Sequence, residues 1–275
     1  MKLSLKQIIA GTMLAAAAAT PAFAFDAPTG GTGNSSLVVT VFDQVAGVSV
    51  FQDLGINYLD FLNGSVSKDG TAGTDVTPDA GLTLNFSVDM SIFSNSVASN
   101  IEYTIFAADM QGTFANTEVL VSADPTLGTI STPNGDLALM AGTNAYQQLT
   151  GQCASQGMNT VCTGVLSPPS GVYAGGGNWG DNFQYLDVNG SAVVGTTLGM
   201  YGLNRTSNTA GAAASSYQYA NSAGVAATWL LSATGALTWT SQAVGGSPVP
   251  VPAAVWLLLS GLGGLGVIGR RRQAA

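Results

Sequence analysis

The chain has 275 residues, of which 8% are charged, against about 25% in an ordinary soluble protein. It contains no histidine and two cysteines, which excludes a histidine-dependent triad, a His-ligated metal or haem, and a four-thiolate cluster. Between the basic residues at either end lie Lys68, Arg205 and all fifteen acids, a formal charge of −13 that repels nucleic-acid phosphates.

Lys2 and Lys6 lead an apolar run, Ile8–Ala19, which is followed by Ala22-Phe23-Ala24. Positive charge, a short apolar run and a small-x-small site, in that order, predict a signal peptide over residues 1–24. Signal peptidase would cut after Ala24 and leave Phe25 as the new N-terminus. A retained anchor is the competing reading, but a run of about 12 residues is short for crossing a bilayer core.

Residues 25–246 are then expected to fold outside the cytoplasm as an all-β, sandwich-like domain of about a dozen strands. Leu37–Phe42 and Val48–Leu54 read as a hairpin joined through Gln44-Val45-Ala46-Gly47. Ser67–Gly81 reads as an acidic loop carrying Asp69, Asp75 and Asp79. Carboxylate and carbonyl oxygens suit Ca2+, although the spacing matches neither an EF-hand nor a calcium-binding nonapeptide repeat. A solvated loop that needs no cofactor is the preferred reading.

Leu82–Val88 alternates without a fault, with Leu82, Leu84, Phe86 and Val88 inward and Thr83, Asn85 and Ser87 outward. Ile101, Tyr103 and Ile105 repeat that period of two, as do Val119 and Val121, Phe183 and Tyr185, and Tyr217 and Tyr219. Without histidine, acid–base catalysis would need a carboxylate pair. No run frames one: Glu102 is expected to face water and Glu118 to open a strand, so the expectation is a protein that is not an enzyme. Asp136–Gln148 has the spacing of a short helix, with Leu137, Met140 and Leu149 on one side and Gly142 interrupting it.

Cys153 and Cys162 lie in a polar, glycine-bearing segment of a chain expected to be exported, which predicts a disulfide. The segment Tyr173–Asn182 combines Trp179 with Asn178 and Asp181. An exposed Trp179 would stack on a sugar ring while Asn178 or Asp181 bonds its hydroxyls, making a lectin-like module. The preferred reading tucks Trp179 into the core, where large aromatic residues mostly go. Asn208–Ser216 reads as a loop. Trp229–Ser232 and Ala236–Thr240 read as a closing hairpin that turns at Ala233-Thr234-Gly235.

The C-terminal segment is a second address. Pro-rich residues 247–252 forbid helix and favour an extended peptide. Ala253–Gly269 follows without a charge and would rise about 25 Å as a transmembrane helix, at the short limit for a bilayer core. Arg270, Arg271 and Arg272 would hold residues 270–275 in the cytoplasm, leaving the bulk of the chain outside.

The order of Val249-Pro250-Val251-Pro252-Ala253, a short Trp/Leu/Gly span and an Arg cluster resembles the PEP-CTERM class of bacterial sorting tails. It is most similar to the variant with a Val-Pro-Leu-Pro-Ala core, from which Val251 is the departure. The resemblance covers about 29 residues and implies an exosortase-type processing enzyme as partner, loss of the tail, and delivery to the cell surface or exopolysaccharide matrix. A plain single-span anchor is the competing reading, and both place a helix in the membrane. The functional expectation is an exported surface or matrix protein with a structural or interaction role. The lectin-like module on the same scaffold is the alternative.

Overall fold

A computed structural model describes residues 35–58, 61, 67–68, 74–76, 81–110, 117–142, 153, 161–165 and 189–244. Its strands run in the order β1 (Ser36–Asp43), β2 (Val48–Asn57), β3 (Ser67–Lys68), β4 (Thr74–Val76), β5 (Leu82–Ser87), β6 (Ile101–Met110) and β7 (Thr117–Ala123). A helix, α1 (Asn134–Gly142), precedes β8 (Val161–Val165), β9 (Ala192–Val193), β10 (Thr197–Asn204), β11 (Ser215–Ala220), β12 (Thr228–Leu231) and β13 (Ala236–Ser241).

These strands form one large sheet that curls on itself and is almost wholly antiparallel, with β4 parallel to β11. Its main path is β3-β4-β11-β10-β7-β6-β1-β2-β8. Two forks interrupt that path. Strand β10 pairs along one side with β7, while its other side is divided between β12 at Thr197–Gly199 and β11 at Tyr201–Asn204. Strand β6 pairs with β7 from Phe106 onward and with β9 at Glu102–Tyr103. The β12 branch continues through β13 to β5.

Alternation along the strands sends side chains to two cores. One face carries Val39, Val41, Val50, Tyr103, Ile105, Leu120, Met200 and Tyr217, and the inward residues of the β12–β13 branch, Trp229, Leu231, Leu237 and Trp239, join them. The other face carries Val38, Phe51, Phe106, Val119, Val121, Tyr201 and Leu203 under Leu137 and Met140 of α1 and the cysteines. With both faces covered, β1 is buried along its whole length, which accounts for its nearly unbroken apolar sequence.

The two outer hairpins form where turn chemistry predicts. Asp43 accepts the Val45 and Ala46 N–H groups at 2.9 Å each, closing the β1–β2 turn. Gly235, with φ +90°, ends the β12–β13 turn, where any Cβ would collide with the Val88 carbonyl. Leu82–Ser87 alternates half-buried and exposed as its sequence requires. The short helix occupies Asn134–Gly142 and buries Leu137 and Met140.

Two readings need correction, and one strand went unread. Ser67–Gly81 is not simply a loop, because β3 and β4 lie within it and add to the sheet edge beside β11. Strand β10, which pairs with three others and is buried on both faces, shows no hydrophobic alternation, and Gly199 and Gly202 occupy two of its buried positions. A Cβ at Gly202 would fall inside the ring of its cross-strand partner Tyr217, and one at Gly199 would press on Pro125 at 2.9 Å. Glu102 does not simply face water: half-buried, it accepts the Ser191 hydroxyl at 2.6 Å.

Candidate functional site

With no imidazole in the chain, the carboxylates are the groups whose placement decides what chemistry is open. Three of the described aspartates close turns, and a fourth, Asp53, holds the irregularity within β2. Asp43 does so between β1 and β2. Asp53 accepts the Gly55 N–H at 2.7 Å and the buried Ser36 hydroxyl at 2.7 Å. Asp89 accepts the Ser91 N–H at 2.9 Å. Asp124 accepts both the N–H and the hydroxyl of Thr126, at 2.8 and 2.7 Å, and these bonds hold its carboxyl below the usual carboxylate range. Asp136 lies in the first turn of α1, where the helix dipole favours a negative charge.

The two glutamates each receive a hydroxyl. Glu118 accepts from Tyr58 at 2.7 Å, and Glu102 from Ser191, whose Oγ is also 3.0 Å from Asn189 Oδ1. These bonds tie strands to loops: Tyr58 follows β2, and Ser191 precedes β9. Among the described residues no three His, Cys, Asp or Glu side chains gather into a metal-binding group. Of the calcium candidates, Asp75 is on β4, opposite Lys68 and Tyr219, while Asp69 and Asp79 lie outside the described residues.

The interior of the curl is aromatic. Trp229 and Trp239 face one another across β12 and β13 with ring centroids 5.0 Å apart, and Phe61 lies 5.9 and 5.5 Å from them. Both indoles are completely buried and their Nε1 atoms have no hydrogen-bond partner. Rings so enclosed lock the β12–β13 branch onto the core and offer no face for a sugar. Asn178, Trp179 and Asp181 lie outside the described residues, as does Phe183 with Tyr185.

Buried hydroxyls repair the sheet where strands part. Ser122 sits at the end of the β6–β7 ladder, and its Oγ accepts the Ile105 N–H at 2.8 Å and donates to the Gly190 carbonyl at 2.8 Å. Thr104 Oγ1, 2.9 Å away, supplies the second proton that Ser122 accepts. One hydroxyl thus replaces the ladder bonds lost as β9 takes over from β7. Tyr103 does similar work at the other fork: its hydroxyl reaches Thr196 O at 2.7 Å and Trp229 O at 3.1 Å, and burial pushes it above the tyrosine range. Tyr201 donates to Asp124 O at 2.7 Å and is pushed up to about 12, chiefly by burial.

Cys153 and Cys162 are joined in a disulfide, with Cα atoms 5.7 Å apart, and both are fully buried. Cys162 lies on edge strand β8 opposite Phe51, so the bridge fastens that edge into the second core. Sequence reasoning missed Ser122, Asn134 and Gln52. Asn134 is wholly buried, accepts the Thr206 N–H at 3.1 Å and bonds the Thr206 and Ser207 hydroxyls at 3.2 Å, tying α1 to the loop after β10. The available signal for Asp53, Asp89 and Asp124 was Gly, Ser or Thr two residues on, which Asp43, followed by Gln44 and Val45, lacks. No family model, curated protein or solved structure matches the chain.

Proposed function

We propose that this chain is an exported protein of the bacterial surface or exopolysaccharide matrix, with a structural or interaction role rather than a catalytic one. The observation that carries the reading is the ordered tail: Val249-Pro250-Val251-Pro252-Ala253, then an uncharged span, then Arg270-Arg271-Arg272. An exosortase-type enzyme is the processing partner, and the helix over 253–269 is the membrane anchor of the precursor. That span, the linker 247–252 and the leader 1–24 lie outside the described residues. The disulfide supports export independently, since such bonds persist in oxidising compartments.

The finer architecture we propose is a sandwich, in which the β12-β13-β5 branch forms the second layer over β1, β2 and β6. The shared core of Trp229, Trp239, Val39, Val41 and Val50 supports it. The structural role is supported by the acids described above, which hold turns and strand ends together.

Mass spectrometry of the terminal peptides of the surface-released form tests the reading. Maturation after Ala24 and loss of the chain beyond the Pro252-Ala253 region are expected. Release of a chain that still carries Arg270–Arg272 overturns the sorting reading.

A further inference from the structure

The sheet ends on strands that differ in how their edges are protected. Strand β3 is two residues long and carries Lys68, and β8 is stapled by the disulfide. Short length and lysine are ordinary guards against edge-to-edge pairing. Strand β5 pairs only with β13 among the described residues, and Leu82-Thr83-Leu84-Asn85-Phe86-Ser87 has neither charge nor proline.

The hydrogen bonds show which groups of β5 face outward. The Val88 N–H donates to Gly235 O at 2.8 Å and the Leu82 N–H to Ser241 Oγ at 2.8 Å, so even-numbered amides turn toward β13. Odd-numbered groups turn the other way, and there Gln52 of β2 meets them. Its Nε2 donates to Ser87 O at 2.6 Å and its Oε1 accepts the Asp89 N–H at 2.9 Å. A single side-chain amide thus occupies the place of a neighbouring strand at one end of the edge. Beyond it, Thr83 and Asn85 present both N–H and C=O outward. Leu82, Leu84 and Phe86 remain only half-buried along the same strand.

We propose that this edge is a self-association site, where β5 pairs antiparallel with β5 of a second copy of this chain. The pairing centres on Leu84. Thr83 and Asn85 of one copy exchange four main-chain hydrogen bonds with Asn85 and Thr83 of the other, Leu84 meets Leu84, and Leu82 meets Phe86. Gln52 selects this register: a pairing centred on Asn85 needs the Ser87 carbonyl, which the amide already holds. A self-pairing strand matches its own apolar and polar rows by symmetry. Its lack of charge lets two acidic chains, each of net charge −8, approach there. Six residues bury far less than the ~1,600 Å² of a standard interface, so the dimer is weak and reversible.

Sedimentation of the full-length chain in mild detergent tests this up to about 0.5 mM, where a small interface becomes populated. Mass rises toward a dimer with concentration, and more steeply in high salt, which screens the acidic bodies. Asn85→Pro removes an outward N–H while leaving the β13 ladder intact. It weakens association at least tenfold without moving the unfolding midpoint. Thr83→Lys with Asn85→Lys, which opposes like charges across the pair, does the same should the proline variant fail to fold. The native cysteines are already joined, so Leu84→Cys supplies a lone thiol that crosslinks two copies, whereas Asn85→Cys does not. A monomer at every concentration, association unaffected by both β5 variants, or crosslinking through Asn85→Cys in preference to Leu84→Cys overturns the proposal.

Discussion

Ser122→Ala is the sharpest test of how the sheet is held where its strands part. The substitution removes one oxygen and leaves the Ile105 N–H, the Gly190 C=O and the Thr104 hydroxyl without the partner they share. Ser122 and Thr104 are completely buried, so water does not replace the lost bonds. A buried group left unpaired costs about 1–3 kcal/mol, and losing the Ser122 hydroxyl's own desolvation offsets part of the sum over three groups. The expected loss is about 2–4 kcal/mol.

Ser232→Ala is the matched control. Its hydroxyl also takes a backbone N–H, from Ala236 at 3.0 Å, and neighbours another hydroxyl, Thr234 Oγ1 at 2.9 Å, but both bonds are exposed. Its loss is expected to stay near 0.5 kcal/mol, as for most surface substitutions. Urea unfolding, followed through Trp229 and Trp239, reads both, with the midpoint moving and the slope unchanged. Adding Thr104→Val to Ser122→Ala would then cost less than the separate losses sum to, because the two share a bond. Equal losses for Ser122→Ala and Ser232→Ala would refute the assignment of Ser122 as the junction.

Other outcomes follow from the same geometry. Replacing Cys153 and Cys162 by Ser lowers stability by about 2.5 kcal/mol, the loop-closure entropy of so short a loop, read as the difference in denaturant midpoint from the oxidised chain. Gly202→Ala drives a methyl into the Tyr217 ring and costs about 3 kcal/mol, while pairing it with Tyr217→Ser recovers part of that loss in the same assay. Tyr201 binds its proton more tightly folded than unfolded, so stability falls as pH rises from about 10, the unfolded value, to about 12. Thermal unfolding across pH 9–12 should show that slope reduced in Tyr201→Phe. At the acid end the sign reverses: Asp124 contributes above its ordinary pKa and loses that contribution as pH falls through its lowered one, read as faster exchange of the Thr126 amide.

The parts legible in the sequence are those whose reasons are local. Leu82–Val88 alternates because one face meets the core and the other water, and the hairpins around Gly47 and Gly235 announce themselves by composition. Strand β10 was hidden because its glycines answer to Tyr217 and Pro125, neither of which is a chain neighbour. Gln52 gave no signal for the same reason, since its partners Ser87 and Asp89 are 35 and 37 residues away. The turn aspartates were silent in a different way. None of them stood out as a turn former, yet Asp43, Asp89 and Asp124 close turns and Asp53 holds the irregularity within β2, roles that rest on their immediate successors.

The pairing of β5 with β13 also dictates an order of events. Leu82 and Ser241 are separated by 159 residues, and β10 needs β7 from before it and both β11 and β12 from after it. A chain emerging N-terminus first therefore has no partner for Leu82–Ser87, and no completed fork at β10, until nearly the whole described region has been delivered. Such non-local closure makes for slow folding. It also ties the two ends of the described region together, so that a chain cut short before Ala236 leaves Leu82–Ser87 without its ladder.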